Sequence, residues 1–157
     1  MIIDNTLEFA DAASVADIAG THNVGDIIDS SVVRDLGNGQ PVYLVITVDT
    51  EIITAGTAGT IQFQLVSDST DTIATDGSQS IHVISEEYVT DDAAANDAEL
   101  SVGQVPFLVA LPVQGQQYEH YLAVQYVVGT ETTSAGAISA FLTLDPYGWK
   151  AYPDASN

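Results

Sequence analysis

Residues 41–50 (PVYLVITVDT) constrain the fold most strongly, because they are the longest β-favouring run in the chain. Side chains alternate between the two faces of a strand, and one face of this run is wholly aliphatic, with Val42, Leu44, Ile46 and Val48. The opposite face, with Tyr43, Val45 and Thr47, is half apolar. Strands that are apolar on both faces lie in the middle of a sandwich or barrel. We therefore predict a central strand that begins at Pro41, where the missing N–H costs least.

Several other short segments have strand character: residues 23–28, 31–36, 60–66, 81–84, 105–113, 120–128 and 137–144. Residues 60–66 predict a half-exposed strand, because apolar Ile61, Phe63 and Leu65 alternate with outward-facing Gln62 and Gln64. The two prolines within residues 105–113 indicate a short or edge strand. Residues 137–144 place Ile138, Ala140, Leu142 and Leu144 on one face.

Turn-forming residues separate these segments. Asn38-Gly39 predicts a hairpin turn into the central strand, Asp76-Gly77 predicts a second turn, and residues 129–136 predict a hairpin loop. Residues 52–59 read as a loop, and residues 85–104 as a polar surface excursion with room for one helical turn. Roughly seven to nine strands at about ten-residue spacing predict an all-β, antiparallel two-sheet sandwich, either jelly-roll or immunoglobulin-like.

A chain of 157 residues is expected to form one domain. We predict an extended N-terminal arm over residues 1–20, a sandwich over residues 21–145 and an aromatic tail over residues 146–157. The apolar residues of the first segment suit neither a regular strand nor a long helix, although one helical turn fits residues 9–16. The N-terminus lacks the features of a signal peptide, so we expect synthesis and use without secretion.

The charge of the chain is strongly one-sided. Twenty-two acidic residues stand against Arg34 and Lys150, which gives a formal net charge of −20. Nucleic acid and anionic membrane surfaces are therefore not expected partners, because both attract basic proteins. No apolar run approaches the ~20 residues that a membrane helix needs.

No motif in the sequence indicates catalysis or a cofactor. His22, His82 and His120 are far apart and lack a zinc-like spacing, and there is no cysteine. The nucleophile elbow, the P-loop and the dinucleotide-binding fingerprint are all missing, although a Ser/His/Asp triad remains open. Among 22 carboxylates a glycosidase-like pair would arise by chance, and calcium in the acidic loops is a weaker alternative to plain solvation. We predict no catalytic residue, no cofactor and no metal site.

The tail is the most distinctive segment outside the strands. Tyr147, Trp149 and Tyr152 are three large aromatic residues within six positions. They can pack on the body of the protein, contact a subunit or partner, or form a platform on which sugar rings stack.

Three blocks of the sequence resemble a known family. The first is MIID at residues 1–4 with FAD at residues 9–11, and the second is RDLGNGQP at residues 34–41, which runs into a Val/Ile strand ending at Asp49. The third joins residues 121–130 to AGAI at 135–138 and Phe141-Leu142. These blocks are similar to tailed-phage capsid cement, or decoration, proteins, a jelly-roll family. The chain departs from the family pattern at His120, where an arginine is often found before the tyrosine of the penultimate strand.

The resemblance implies a non-enzymatic jelly-roll protein on the outer surface of a phage head. Such a protein bridges neighbouring copies of the major capsid protein, stabilises the shell, and forms a dimer or trimer. The expected capsid or subunit contacts are in the arm and tail, with one basic residue near a turn: Ile2, Ile3, Leu7, Phe9, Arg34, Tyr147, Trp149 and Tyr152. The alternative is a carbohydrate-binding sandwich that uses Tyr147, Trp149 and Tyr152, and a glycoside-active enzyme ranks below it.

Overall fold

The computed structural model describes residues 5–30, 40–91, 97–113, 115 and 117–148. Its eight strands are β1 (Glu8–Ser14), β2 (Gly20–Asp29), β3 (Tyr43–Thr54), β4 (Thr60–Asp68), β5 (Ser80–Val89), β6 (Phe107–Ala110), β7 (Tyr121–Gly129) and β8 (Thr133–Thr143). Two three-residue 3-10 helices, Asn5–Leu7 and Ala98–Leu100, complete the described elements. No helix among these residues is long or apolar enough to cross a membrane.

The strands form two four-stranded sheets. The first has the order β1-β8-β3-β6 and the second has the order β2-β7-β4-β5. Every paired strand is antiparallel to its neighbour. The prediction of an all-β antiparallel two-sheet sandwich is therefore confirmed, and the strand count falls within the predicted range.

Strand β3 is central, as its sequence predicts. It lies between β8 and β6, and Leu44, Ile46 and Val48 project into the main core with no more than 1% exposure. Val45, on the opposite face, is also fully buried. The strand begins at Tyr43 rather than Pro41, although the Leu111 N–H still donates to the Val42 carbonyl at 2.8 Å. It ends at Thr54, so the loop predicted from residue 52 begins later.

The connection from β7 to β8 differs from the prediction. A hairpin across residues 129–136 is wrong, because β7 pairs with β2 and β4 in one sheet whereas β8 pairs with β1 and β3 in the other. The chain therefore crosses between the sheets after Gly129. Strand β8 ends at Thr143, which leaves Leu144 outside it and 45% exposed instead of on the buried face.

Residues 8–14 of the predicted arm form an edge strand. Strand β1 pairs with β8 through two register shifts, and Phe9 is 1% exposed within the core. The helical turn expected over residues 9–16 is thus replaced by a strand, preceded by a 3-10 turn at Asn5–Leu7. Next to β1 lies Gly25 of β2, where φ is +66° and a Cβ would stand 1.8 Å from the Phe9 carbonyl oxygen. The sandwich therefore includes residues that the sequence assigned to the arm.

Strand β4 is not half exposed as predicted. Gln64 on its outer face is 4% exposed and Val66 is fully buried, because residues 69–79 fold across that face of the sheet. Ile73 from this loop packs against Val66 and Ala123 in a small second core. The alternation of apolar and polar residues correctly identifies the strand, but it does not show that a loop covers the polar side.

The remaining boundaries shift by a few residues. Strand β5 continues to Val89, so the polar excursion predicted from residue 85 begins later. The helical turn expected within it corresponds to Ala98–Leu100. Strand β6 is four residues long and lies at a sheet edge, as its two flanking prolines predict. The Asn38-Gly39 turn and the strand predicted over residues 31–36 lie outside the described residues.

Candidate functional site

One end of the sandwich carries an apolar cleft. Strands β2, β6 and β8 end there, and β3 and β7 begin there, so their terminal residues surround a space of about 710 Å³. Its walls include Ile28, Val42, Leu122 and Leu142, the side chains that close the core at this end. Pro112 and Val113 line it from the loop between β6 and β7.

A polar cluster borders this cleft. Tyr118 lines the cleft and stacks on His82, with ring centroids 3.9 Å apart and planes inclined by 20°. The Nε2 of His82 lies 2.7 Å from Ser67 Oγ, which also accepts the Glu119 N–H at 3.0 Å. The Ser67 hydroxyl has one proton and two lone pairs, so it can accept from that amide and also share a hydrogen bond with His82 in either tautomer. Burial lowers the pKa of His82, and the Glu119 carboxylate opposes this effect only in part.

The Ser67–His82 pair is not arranged for nucleophilic catalysis. Ser67 is fully buried, so a substrate has no path to its oxygen. The carboxylate of Glu119 accepts a hydrogen bond from Ser80 Oγ at 2.5 Å. The cluster ties β4, β5 and the residues before β7 together, and we interpret it as a structural clamp.

The phenolic oxygen of Tyr118 is the unusual atom of the site. It is buried and has no hydrogen-bond partner within the described part of the chain. Burial also raises the pKa of this phenol. An unpaired buried hydroxyl costs about 1–3 kcal/mol, so the enclosed position of this oxygen beside the cleft is locally unfavourable.

The same end of the molecule exposes large apolar side chains. Val113 is 98% exposed, and Leu144 and Tyr147 follow the last residue of β8 with 45% and 73% exposure. The Asp145 carboxylate accepts the N–H groups of Tyr147 and Gly148 at 3.1 and 2.9 Å, which folds these residues into a turn. The turn holds Tyr147 next to the end of β8.

The structure places the contact residues expected from the sequence in different environments. Tyr147 is exposed at the apolar end, whereas Leu7 is partly buried against the core. Phe9 belongs to the core, which leaves its side chain no surface to offer to a partner. The other five, Ile2, Ile3, Arg34, Trp149 and Tyr152, lie outside the described residues.

The outer face of the second sheet holds a further polar network centred on Gln125. Its Nε2 donates to the Ala74 carbonyl and to Asn23 Oδ1, each at 2.7 Å. Its Oε1 therefore accepts, and it receives the side-chain amides of Gln64 at 2.9 Å and Gln79 at 3.0 Å. These bonds fasten residues 69–79 to the sheet. Single glutamines far apart in the sequence gave no signal of this network.

At the opposite end of the sandwich, Asp17 joins a small cluster with His22 and Tyr126. Its carboxylate lies 3.2 Å from His22 Nδ1 and accepts the Ile18 N–H at 2.8 Å. His22 also stacks on Tyr126, whose pKa is raised to about 12 by burial and by Asp17. Among the described residues, no three histidine or acidic side chains are grouped closely enough to hold a metal ion.

Comparison with known proteins finds a family but no individual curated relative. No curated protein matches the sequence. A protein-family model, Bbp16, matches residues 9–142, which run from strand β1 to the penultimate residue of β8. Because this match covers nearly the whole sandwich, the chain belongs to the Bbp16 family.

Proposed function

We propose that this protein is a capsid cement protein that binds the outer surface of a tailed-phage head and bridges neighbouring major capsid protein subunits. The observation that carries the proposal is the exposure of Val113, Leu144 and Tyr147 at one end of an otherwise strongly acidic molecule. Exposed apolar side chains at the same end of a molecule favour association with another protein.

The strand order supports the jelly-roll form of the sandwich that the sequence resemblance implies. In a jelly roll, eight strands make two four-stranded sheets through Greek-key connections. The orders β1-β8-β3-β6 and β2-β7-β4-β5 fit this arrangement, because every connection except β4 to β5 passes from one sheet to the other.

Charge favours the outside of the shell. A protein with a formal net charge of −20 is repelled by packaged DNA, so the outer surface is the more favourable side. The complementary surface of the capsid protein should combine apolar side chains with lysine or arginine. A homo-oligomer, a dimer or a trimer, would place several apolar ends on one symmetry axis of the shell.

Co-sedimentation with capsids tests the proposal. Capsids that lack the protein are mixed with purified protein and pelleted, and we expect saturable binding at a fixed copy number per shell. The double variant Leu144→Ser/Tyr147→Ser should lower the bound fraction at least tenfold, since each lost apolar anchor is worth about 1–2 kcal/mol. Ile18→Ser is the matched control, because Ile18 is 64% exposed at the opposite end.

Two results would count against the proposal. Wild-type protein that stays in the supernatant at every concentration would refute capsid binding. Loss of binding with Ile18→Ser, together with full binding by the double variant, would place the contact at the other end. The carbohydrate-binding alternative draws support from the 73% exposure of Tyr147, and glycan-array binding that disappears with Trp149→Ala would favour it.

A further inference from the structure

We infer that the apolar cleft is the docking site of the protein's own C-terminal segment, residues 149–157, and that Trp149 fills it. The described chain reaches Gly148 at the same end of the sandwich, through the turn at Asp145. Leu142, in the cleft wall, precedes Trp149 by seven residues. Trp149 directly follows Gly148, and one residue advances the chain by no more than about 3.6 Å, so the segment starts from this end of the sandwich.

The chemistry of the cleft matches that of the segment. Its walls are aliphatic apart from a few groups such as Ser30 and Tyr118, and its volume of about 710 Å³ accommodates a large aromatic side chain. Burying the indole there removes a large apolar surface from water.

Charge distinguishes the protein's own segment from a second copy as the occupant. Residues 149–157 contain one lysine and one aspartate, so their formal charges cancel. In free solution, away from a capsid surface that neutralises the charge, a second copy that offered its surface to the cleft would bring a body of −20 against another of −20. The intramolecular segment avoids this repulsion and is held at high effective concentration by the chain itself.

The inference goes beyond capsid binding and does not depend on it. The filled cleft would give the apolar end a closed surface, with Leu144 and Tyr147 still outside it. Its test needs no capsid, so its failure can be told apart from failure of the proposed function.

Trp149 is the only tryptophan, so the intrinsic fluorescence of the full chain reports directly on this residue. We expect blue-shifted emission with weak acrylamide quenching that does not change on dilution. Val113→Asp puts a charge at the mouth of the cleft on a side chain that is 98% exposed, so the fold should tolerate it. It should red-shift the emission and raise the quenching constant several-fold. Val102→Asp, on another loop with 64% exposure and outside the cleft, should change neither.

Red-shifted and freely quenched emission in the wild-type chain would overturn the inference. So would emission that becomes red-shifted on dilution, since this would assign the cleft to a neighbouring copy.

Discussion

Replacing Gln125 by methionine tests whether the polar network holds residues 69–79 on the outer face of the second sheet. Gln125 is fully buried and makes four hydrogen bonds, two to the loop and two to neighbouring strands. Loop residues 74 and 79 are among its partners. Methionine keeps the approximate length and volume of glutamine but offers no comparable donor or acceptor.

The expected loss follows from the number of bonds. A buried hydrogen bond contributes about 1 kcal/mol net, so the four bonds together account for about 4 kcal/mol. A loss of this size is a large share of the roughly 5–15 kcal/mol by which a domain is stable. Gln62→Met is the matched control on the neighbouring strand. Gln62 makes one side-chain bond, to the Ser85 carbonyl at 3.0 Å, and its loss should cost about 1 kcal/mol.

Urea unfolding gives the free energies of both variants, and limited proteolysis reports the loop itself. Gln125→Met should make residues 69–79 the first site of cleavage, whereas Gln62→Met should leave the cleavage pattern unchanged. Equal destabilisation by the two variants, with no new cleavage in the loop, would refute the view that Gln125 organises this face.

Three further predictions concern stability. Gly25→Ala should cost about 3 kcal/mol or more in urea unfolding, because φ is +66° and the new Cβ meets the Phe9 carbonyl. Gly77→Ala is the control, since its φ is also positive (+94°) but the new Cβ lies in open space, and it should cost about 1 kcal/mol. Equal losses would contradict the close approach at Gly25. The unfolded chain takes up a proton at His82 below about pH 6.5, before the folded protein does, because burial lowers the folded pKa of this residue. Stability in urea unfolding should therefore fall as pH drops from there through the lowered folded pKa, and His82→Gln should flatten this dependence; an unchanged pH dependence in the variant would contradict it. Burial raises the pKa of Tyr88 and Tyr126 to about 12, so the stability that these neutral, buried phenols contribute should be lost between about pH 10 and pH 12. Ionisation of all tyrosines in one step near pH 10 in an ultraviolet titration would disprove the raised pKa values.

The strands with regular apolar alternation could be predicted from the sequence. β3 and β7 are rich in Val, Ile, Leu and Tyr, and both proved to be interior strands. β1 could not be predicted, because its sequence is rich in alanine and two register shifts interrupt its pairing. Its place in the sheet depends on β8, which lies more than a hundred residues away.

The candidate site could not be predicted from the sequence either, because its residues are also distant from one another along the chain. Ser67, His82 and Tyr118 are separated by 15 to 51 positions, and their contact depends on three strand ends that meet at one end of the sandwich. No local pattern marks such a meeting point. The aromatic tail was recognisable from its composition, and Tyr147 is exposed as a contact residue requires, but the cleft beside it is formed by five different strands.

The pairing of the first strand with the last has a consequence for synthesis. While the ribosome is still making residues 133–143, strand β1 has no partner, and its sheet lacks the strand that joins β1 to β3. Most neighbouring strands are likewise distant in sequence, which slows folding because long loops must close before any contact forms. We expect the nascent chain to stay without stable tertiary structure until its last strand leaves the exit tunnel. Folding would then proceed as a single late event.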